Sequence, residues 1–296
     1  MKAFILAEHQ DAARELCAGA RSMADEVVCV SIGDLELPLG VADKVLHITL
    51  PEGAVFDDAA DTVVAALDAS GDRVVLVEPT RRMKVIAGKL AAHFEASVIT
   101  NVLSFDGAVA TSLYFGGVGI QAQNPCGDIS FYTVGQGVFA DAEASGSNEI
   151  EDVAWIEPQV PLKLVSVHSI EKTGADLNKS DVIVAAGRGF CEESDLDMAR
   201  TLCDKIGGAL GCTRPLTEGL DWLPKETYIG VSGLMLSPKV YVAAGVSGQM
   251  QHMVGCNRAG TLFAINKDKN APVFKQCDFG LVGDIKDVLP ALAAAL

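Results

Sequence analysis

Positive charge is what this sequence has little of: across 296 residues, 23 lysines and arginines stand against 39 aspartates and glutamates, a formal net charge of −16. A surface of that average sign repels phosphate backbones and anionic lipid, so no nucleic-acid partner is expected. Long apolar runs are missing as well. No stretch reaches the roughly 18 apolar residues of a membrane span, and the N-terminal MKAFILAEHQ meets Glu8 too soon for a secretion signal. No direct membrane insertion and a cytoplasmic location are the expectations. Among the eight cysteines, at 17, 29, 126, 191, 203, 212, 256 and 277, there is no CxxC and no Cys/His cluster at zinc spacing. Metal and iron–sulfur sites therefore lack a ligand set, and the cysteines read as reduced, mostly buried thiols.

What is present is apolar bulk, 49% of the residues against 21% charged, in a chain long enough for two domains. The first half alternates strand-like runs (KAFILAE 2–8, EVVCVSIG 26–33, KVLHITL 44–50, RVVLVEPT 73–80) with helical segments at 11–24, 57–69 and 82–96. Such alternation predicts a mostly parallel α/β sheet. From SVITNV onward, FDGAVATSLYFGG and ISFYTVGQGVF hold no helix-length segment and read as antiparallel strands closing one edge. The acidic DAEASGSNEIED, 141–152, reads as a linker or surface crossing, after which LKLVSVHSI, 162–170, resumes strand character. The second half alternates again through DVIVAAGRGF, a helix at 195–206, ALGCT, KVYVAAGVSG, a short helix, TLFAINKD and a closing helix at 284–296. Two α/β domains are expected, 1–160 and 161–296.

Two motifs are weighed and set aside. GVSGQ, 245–249, misses the fifth-position glycine of a G-x-S-x-G nucleophile elbow, and His252 is the last histidine in the chain. GGVGIQAQ, 116–123, has the G-x-G-x-x-A skeleton of a dinucleotide loop, but Asn124, Pro125 and Gly127 follow where a helix should start. That segment is a turn or bulge between strands.

The strand ends of the second half carry small and polar residues together: AAGRGF (185–190), GCTR (211–214), GVSG (230–233), GVSGQMQH (245–252) and AINKD (264–268). In an open parallel sheet the carboxyl ends of the strands line a crevice where ligands bind. Glycines there admit backbone amides close to phosphates. Arg188 and Arg214 supply positive charge, and Ser232, Ser247, Gln251, His252 and Asn266 supply directional hydrogen bonds. Each alone has a structural reading as turn, ion pair or core residue, but their convergence points to a nucleotide-type cofactor.

GVSGQMQHMVG, then TLFAINKDKNAPVF and CDFGLVGDIKDVLPAL, together with VAAGRGF, GCTRPL and YIGVSGLMLSPKVYVAAG upstream, resemble the α subunit of electron transfer flavoprotein over 181–296. EPTRRMKVIAGKLAAHF resembles the equivalent segment of the first half, and NKDKNAP with SGQMQHMVG is most similar to the Fix-type, carnitine-pathway branch. The resemblance implies two Rossmann-like domains, the first adenine nucleotide alpha hydrolase-like and the second a DHS-like FAD-binding domain. It implies a heterodimer with a β subunit and FAD held mainly by the C-terminal domain. Electrons would pass between acyl-CoA dehydrogenase-type or quinone-linked partners, as in fatty acid β-oxidation, or come from NADH through the β subunit. The chain would have no substrate of its own. Electron bifurcation, and whether the β subunit holds AMP or a second FAD, stay open, as does the alternative of a stand-alone flavin- or nucleotide-dependent oxidoreductase.

By the same resemblance Arg188, Thr213, Ile229, Gly230, Val231, Ser232, Ser247, Gly248, Gln249, Met250, Gln251, His252, Asn266 and Asp284 contact FAD, and Arg214 lies over the isoalloxazine. His252 is expected to donate to the reduced ring and Ser232 to flavin N5. Many members carry glutamine and then threonine or serine where this chain has Val231 and Ser232, which removes one polar contact. Tyr228 stands where some have glutamine, and Thr213 replaces a more usual serine but keeps the hydroxyl.

Overall fold

The computed structural model describes residues 1–35, 37, 40–67, 73–168 and 176–296. The chain divides into two units, Met1–Tyr114 with Gly119–Ser169, and Ile170–Leu296 with Phe115–Val118. Both are α/β with mostly parallel sheets, as the alternation predicts.

In the first unit the strands are β1 (Lys2–Leu6), β2 (Glu26–Ile32), β3 (Lys44–Ile48), β4 (Arg73–Val77), β5 (Val98–Asp106), β6 (Val109–Tyr114), β7 (Gly119–Gln123), β8 (Ile129–Val134) and β9 (Glu149–Asp152). Among the described residues they form one sheet in the order β7-β6-β5-β8-β4-β1-β2-β3-β9. The runs of β1, β2 and β4 are buried on both faces because helices cover the sheet. Those helices are α1 (Gln10–Ala20), α2 (Ala60–Ala66) and α3 (Arg81–His93). Helix α3 starts where Thr80 accepts a hydrogen bond from the Met83 amide (3.2 Å), and it buries Met83, Ile86 and Leu90. The expected helix at 57–69 begins as a 3₁₀ turn, Phe56–Ala59, that leads into α2; its last residues lie outside the described ones.

Three expectations are corrected. The antiparallel edge is real for β5, β6 and β7, but ISFYTV is β8, which lies inside the sheet, parallel to both β4 and β5. Its buried Phe131 and Tyr132 need the cover that only an interior strand receives. The end of the acidic stretch is not a crossing but β9, paired parallel to β3 with Lys44 opposite Glu149. Asn148 seats it by accepting from the Val41 and Ala42 amides (3.0 and 2.9 Å). LKLVSVHSI forms no strand over 162–168, and its last two residues lie outside the described ones. Alternation supplied the propensity there, but propensity alone makes no strand, and residues 162–168 pair with none. The GGVGIQAQ reading stands as turn then strand, with Gly116 at φ 63° before β7.

The second unit is a five-stranded, all-parallel sheet in the order β11-β10-β12-β13-β14. Its strands are β10 (Val182–Ala186), β11 (Ala209–Cys212), β12 (Val240–Ala244), β13 (Thr261–Asn266) and β14 (Phe279–Val282). The helices are α4 (Leu196–Ile206), the single turn α5 (Met250–Met253) and α6 (Ile285–Ala295). Gly207, left-handed at φ 63°, stops α4, and the Asp284 carboxylate caps α6 by accepting from the Lys286 amide (2.9 Å). The two faces carry separate cores: Ile183, Tyr241, Ala243 and Val273 on one, Val184, Phe190, Leu202 and Leu289 on the other.

Candidate functional site

The strand order of the second sheet reverses beside β10, since β11 and β12 flank it. Chain connections diverge there, leaving a crevice outside the carboxyl ends. The turns after β10 and β12 close on each other backbone to backbone: the Gly189 amide donates to the Gly245 carbonyl (2.9 Å) and the Gly187 amide to Ala244 (2.9 Å). Gly245 sits at φ +62°, and a Cβ there would lie 2.8 Å from Gly189 Cα. Only glycine fits such an approach.

A cleft of about 860 Å³ opens at this point, within the range of small-molecule sites. Of the fifteen residues expected at the site, Arg188, Thr213, Arg214, Val231, Ser247, Gln249, Gln251, His252, Asn266 and Asp284 line it. Ile229, Gly230, Ser232, Gly248 and Met250 do not. Ile229 and Gly230 stand behind the wall, Gly248 (φ +84°) packs on the Val273 backbone, and Ser232 and Met250 are exposed outside it. Gly189, Pro215, Tyr228, Gly245, Val246, Lys267 and Ile285 complete the lining. Of these, Lys267 is the omission that matters chemically; it follows Asn266 in the AINKD already recognised as a strand end.

The charge of the cleft opposes that of the chain. Arg188, Arg214 and Lys267 face it against the single carboxylate of Asp284. The exposed Arg188 side chain has no protein partner among the described residues. Arg214 donates through Nε to Glu218 (2.7 Å), an ion pair that holds its proton even more firmly than usual, and stands 6.0 Å from the Tyr228 ring. Asn266 is spent on the wall, donating to the Val246 carbonyl (2.8 Å) and accepting from the Asp268 amide (2.9 Å). The buried Thr213 hydroxyl finds no hydrogen-bond partner among the described residues. A buried hydroxyl left so costs on the order of 1–3 kcal/mol, which a ligand oxygen or amide can recover. The donor set suits a ligand bearing phosphates and hydroxyls.

His252, expected to donate to the reduced ring, has partners for both ring nitrogens within the chain. Its ring is 93% buried (7% exposed), Nδ1 lies 2.9 Å from the Ile229 carbonyl and Nε2 2.9 Å from the Tyr241 hydroxyl. A carbonyl only accepts, so Nδ1 carries the proton, and Nε2 accepts from Tyr241. Both nitrogens are used within the protein. Burial lowers the ring's pKa to about 4, the Ile229 carbonyl opposing only in part, so His252 is neutral at physiological pH. Neighbouring thiols are inert: burial lifts Cys212 to about 11 and Cys256 to about 12. Among the described residues no group of three or more metal-ligating side chains exists, and no helix is long and apolar enough to cross a membrane.

Residues 176–257 match the model of the electron transfer flavoprotein FAD-binding domain, and residues 4–157 that of the electron transfer flavoprotein domain. Protein FixB of Escherichia coli O7:K1 is 35% identical over 293 residues, 95% of this chain and 94% of that protein. Protein FixB of Salmonella typhimurium is 36% identical over the same shares.

Proposed function

Because this chain belongs to the electron transfer flavoprotein family, in its Fix-type α-subunit branch, and FAD is its cofactor, we propose that it is the flavin-carrying half of a heterodimer with a β subunit. In this reading it relays electrons between a dehydrogenase or NADH-linked donor and a quinone-linked or other redox acceptor. The observation that carries it is the orphaned Thr213 hydroxyl in a cleft whose cations, Arg188, Arg214 and Lys267, oppose the sign of the whole chain. That arrangement fits FAD, whose pyrophosphate is anionic and whose ribityl and ribose groups offer partners to a buried hydroxyl.

Bound FAD supplies the redox chemistry. The chain's residues bind and orient: Arg188 and Lys267 neutralise phosphate charge, Thr213 donates to or accepts from the ligand, and the Gly187–Gly189 and Gly245 turns bring backbone close. Arg214, held by Glu218, presents fixed positive charge to the cleft, so added negative charge is stabilised there without rearrangement. Ser232 would join the site only when the exposed turn around it is covered by ligand or partner.

The deciding experiment is the flavin and nucleotide content of the chain co-purified with its β partner, by absorbance and by mass after acid release. One FAD with one AMP supports a single-path carrier. Two FAD support bifurcation from NADH, and absence of FAD would sink the reading.

A further inference from the structure

The geometry points to Asp195 and Lys286 as a pair of positioning residues for the flavin cleft, neither of them in its lining. Asp195 stands just before α4, nearly buried, and both of its carboxylate oxygens are used. Oδ2 accepts from the Cys191 and Glu192 amides (3.1 and 3.2 Å), and Oδ1 meets Lys286 Nζ at 3.0 Å. The amides end the turn that carries Arg188 and Gly189 into the cleft, while the lysine directly follows Asp284 and Ile285, which line it from the start of α6. The ion pair is a clasp between two segments of the lining.

Each segment is tied to a different strand. The Gly189 amide donates to Gly245, just beyond β12, and the Gly283 amide donates to Asn266, at the end of β13 (3.1 Å). Phe190, Leu196, Ile285 and Leu289 share one apolar core, but apolar contact has no direction and does not fix the spacing of two backbone segments. A charge-assisted bond does. Lys286 beside it and the two amides hold the Asp195 carboxyl below the usual carboxylate range, so the clasp stays ionised at neutral pH. Segments held together in advance lose less freedom when a ligand orders them. The clasp thus acts on FAD without touching it, by setting Arg188 and Asp284 in place before the flavin arrives.

The test titrates FAD into the deflavinated complex with its β subunit, followed by flavin fluorescence, and unfolds the FAD-free complex in denaturant alongside. Lys286→Met leaves the two amide bonds of Asp195 intact and should weaken FAD about fivefold; Asp195→Asn should weaken it as much, and the double variant no further. Charge acting through space would instead give opposite signs, since losing the carboxylate would tighten an anionic ligand and losing the lysine would loosen it. Opposite signs, additive losses, or an FAD affinity unmoved while the unfolding midpoint falls each overturn the proposal. If Asp195→Asn does not fold, the Lys286→Met loss is read in rates: faster FAD release supports the clasp, and slower association with unchanged release overturns it. The proposal rests on reading the cleft as the flavin site. A native complex that binds no FAD would strike that reading, and a native affinity with uncoupled variants this one.

Discussion

The two sheets reverse their strand order in the same way and treat the resulting crevice oppositely. In the first, β2 and β4 flank β1, and the crevice is filled from within. Glu78, just beyond β4, accepts from the Glu8 and His9 amides (2.7 and 3.1 Å) and lies 2.7 Å from His9 Nδ1, while Arg82 pairs with Glu8 (3.0 Å). A carboxylate of the chain thus takes the amides an incoming anion would need. In the second sheet, among the described residues, no carboxylate is paired with Arg188 or Lys267, and the Thr213 hydroxyl is left unused. Topology provides the crevice in both; whether it can bind is decided by which polar groups remain unspent.

The contrast breaks most completely at Gly245. A Val there meets Gly189 Cα and cannot adopt φ +62° without strain, so Gly245→Val should cost about 3 kcal/mol in denaturant unfolding and leave the chain without FAD. Next is the cation pair: Arg188→Ala with Lys267→Ala should weaken FAD about 100-fold by fluorescence titration. Glu78→Gln in the first unit should leave that affinity unchanged. A loss of FAD affinity in the Glu78 variant would erase the distinction between the two crevices.

The pH dependence sharpens the comparison further. His252 is neutral in the fold with a pKa of about 4 and has an ordinary value of 6.5 when exposed. The unfolded chain therefore takes up the proton first. Its contribution is whole above pH 6.5 and is lost as pH falls toward 4, about 2 kcal/mol being gone at pH 5. Denaturant curves at pH 7 and pH 5 should show that loss in the native chain and not in His252→Gln. The smallest effect belongs to Thr213→Val, which removes the orphaned hydroxyl at constant shape. It should raise the FAD-free melting stability by about 1 kcal/mol and lower FAD affinity several-fold, opposite signs that a purely structural threonine would not give.

Buried strands with β-branched runs, such as VIVAA and VYVAA, were legible in the sequence because burial on both faces leaves no alternation to misread. The cleft was legible in outline, as glycine-rich strand ends with two arginines. Strand β9, EIED, was not, because its pairing is carried by the backbone and by Asn148 rather than by apolar side chains. Strand β14, FGLV, escaped for want of length. The bound state of His252 could not be read either, since its partners Tyr241 and Ile229 are 11 and 23 residues away and only the packed sheet brings them within reach.

The pairing of β9 with β3 also sets a clock on biosynthesis. Lys44 finds its neighbour at Glu149, so the ribosome must add more than a hundred residues before that edge is covered. At roughly 5–20 residues per second the nascent chain carries an open strand for on the order of 5–20 s. During translation, the charged lysine and the polar histidine of KVLHI are what β3 has to discourage a wrong neighbour from pairing first.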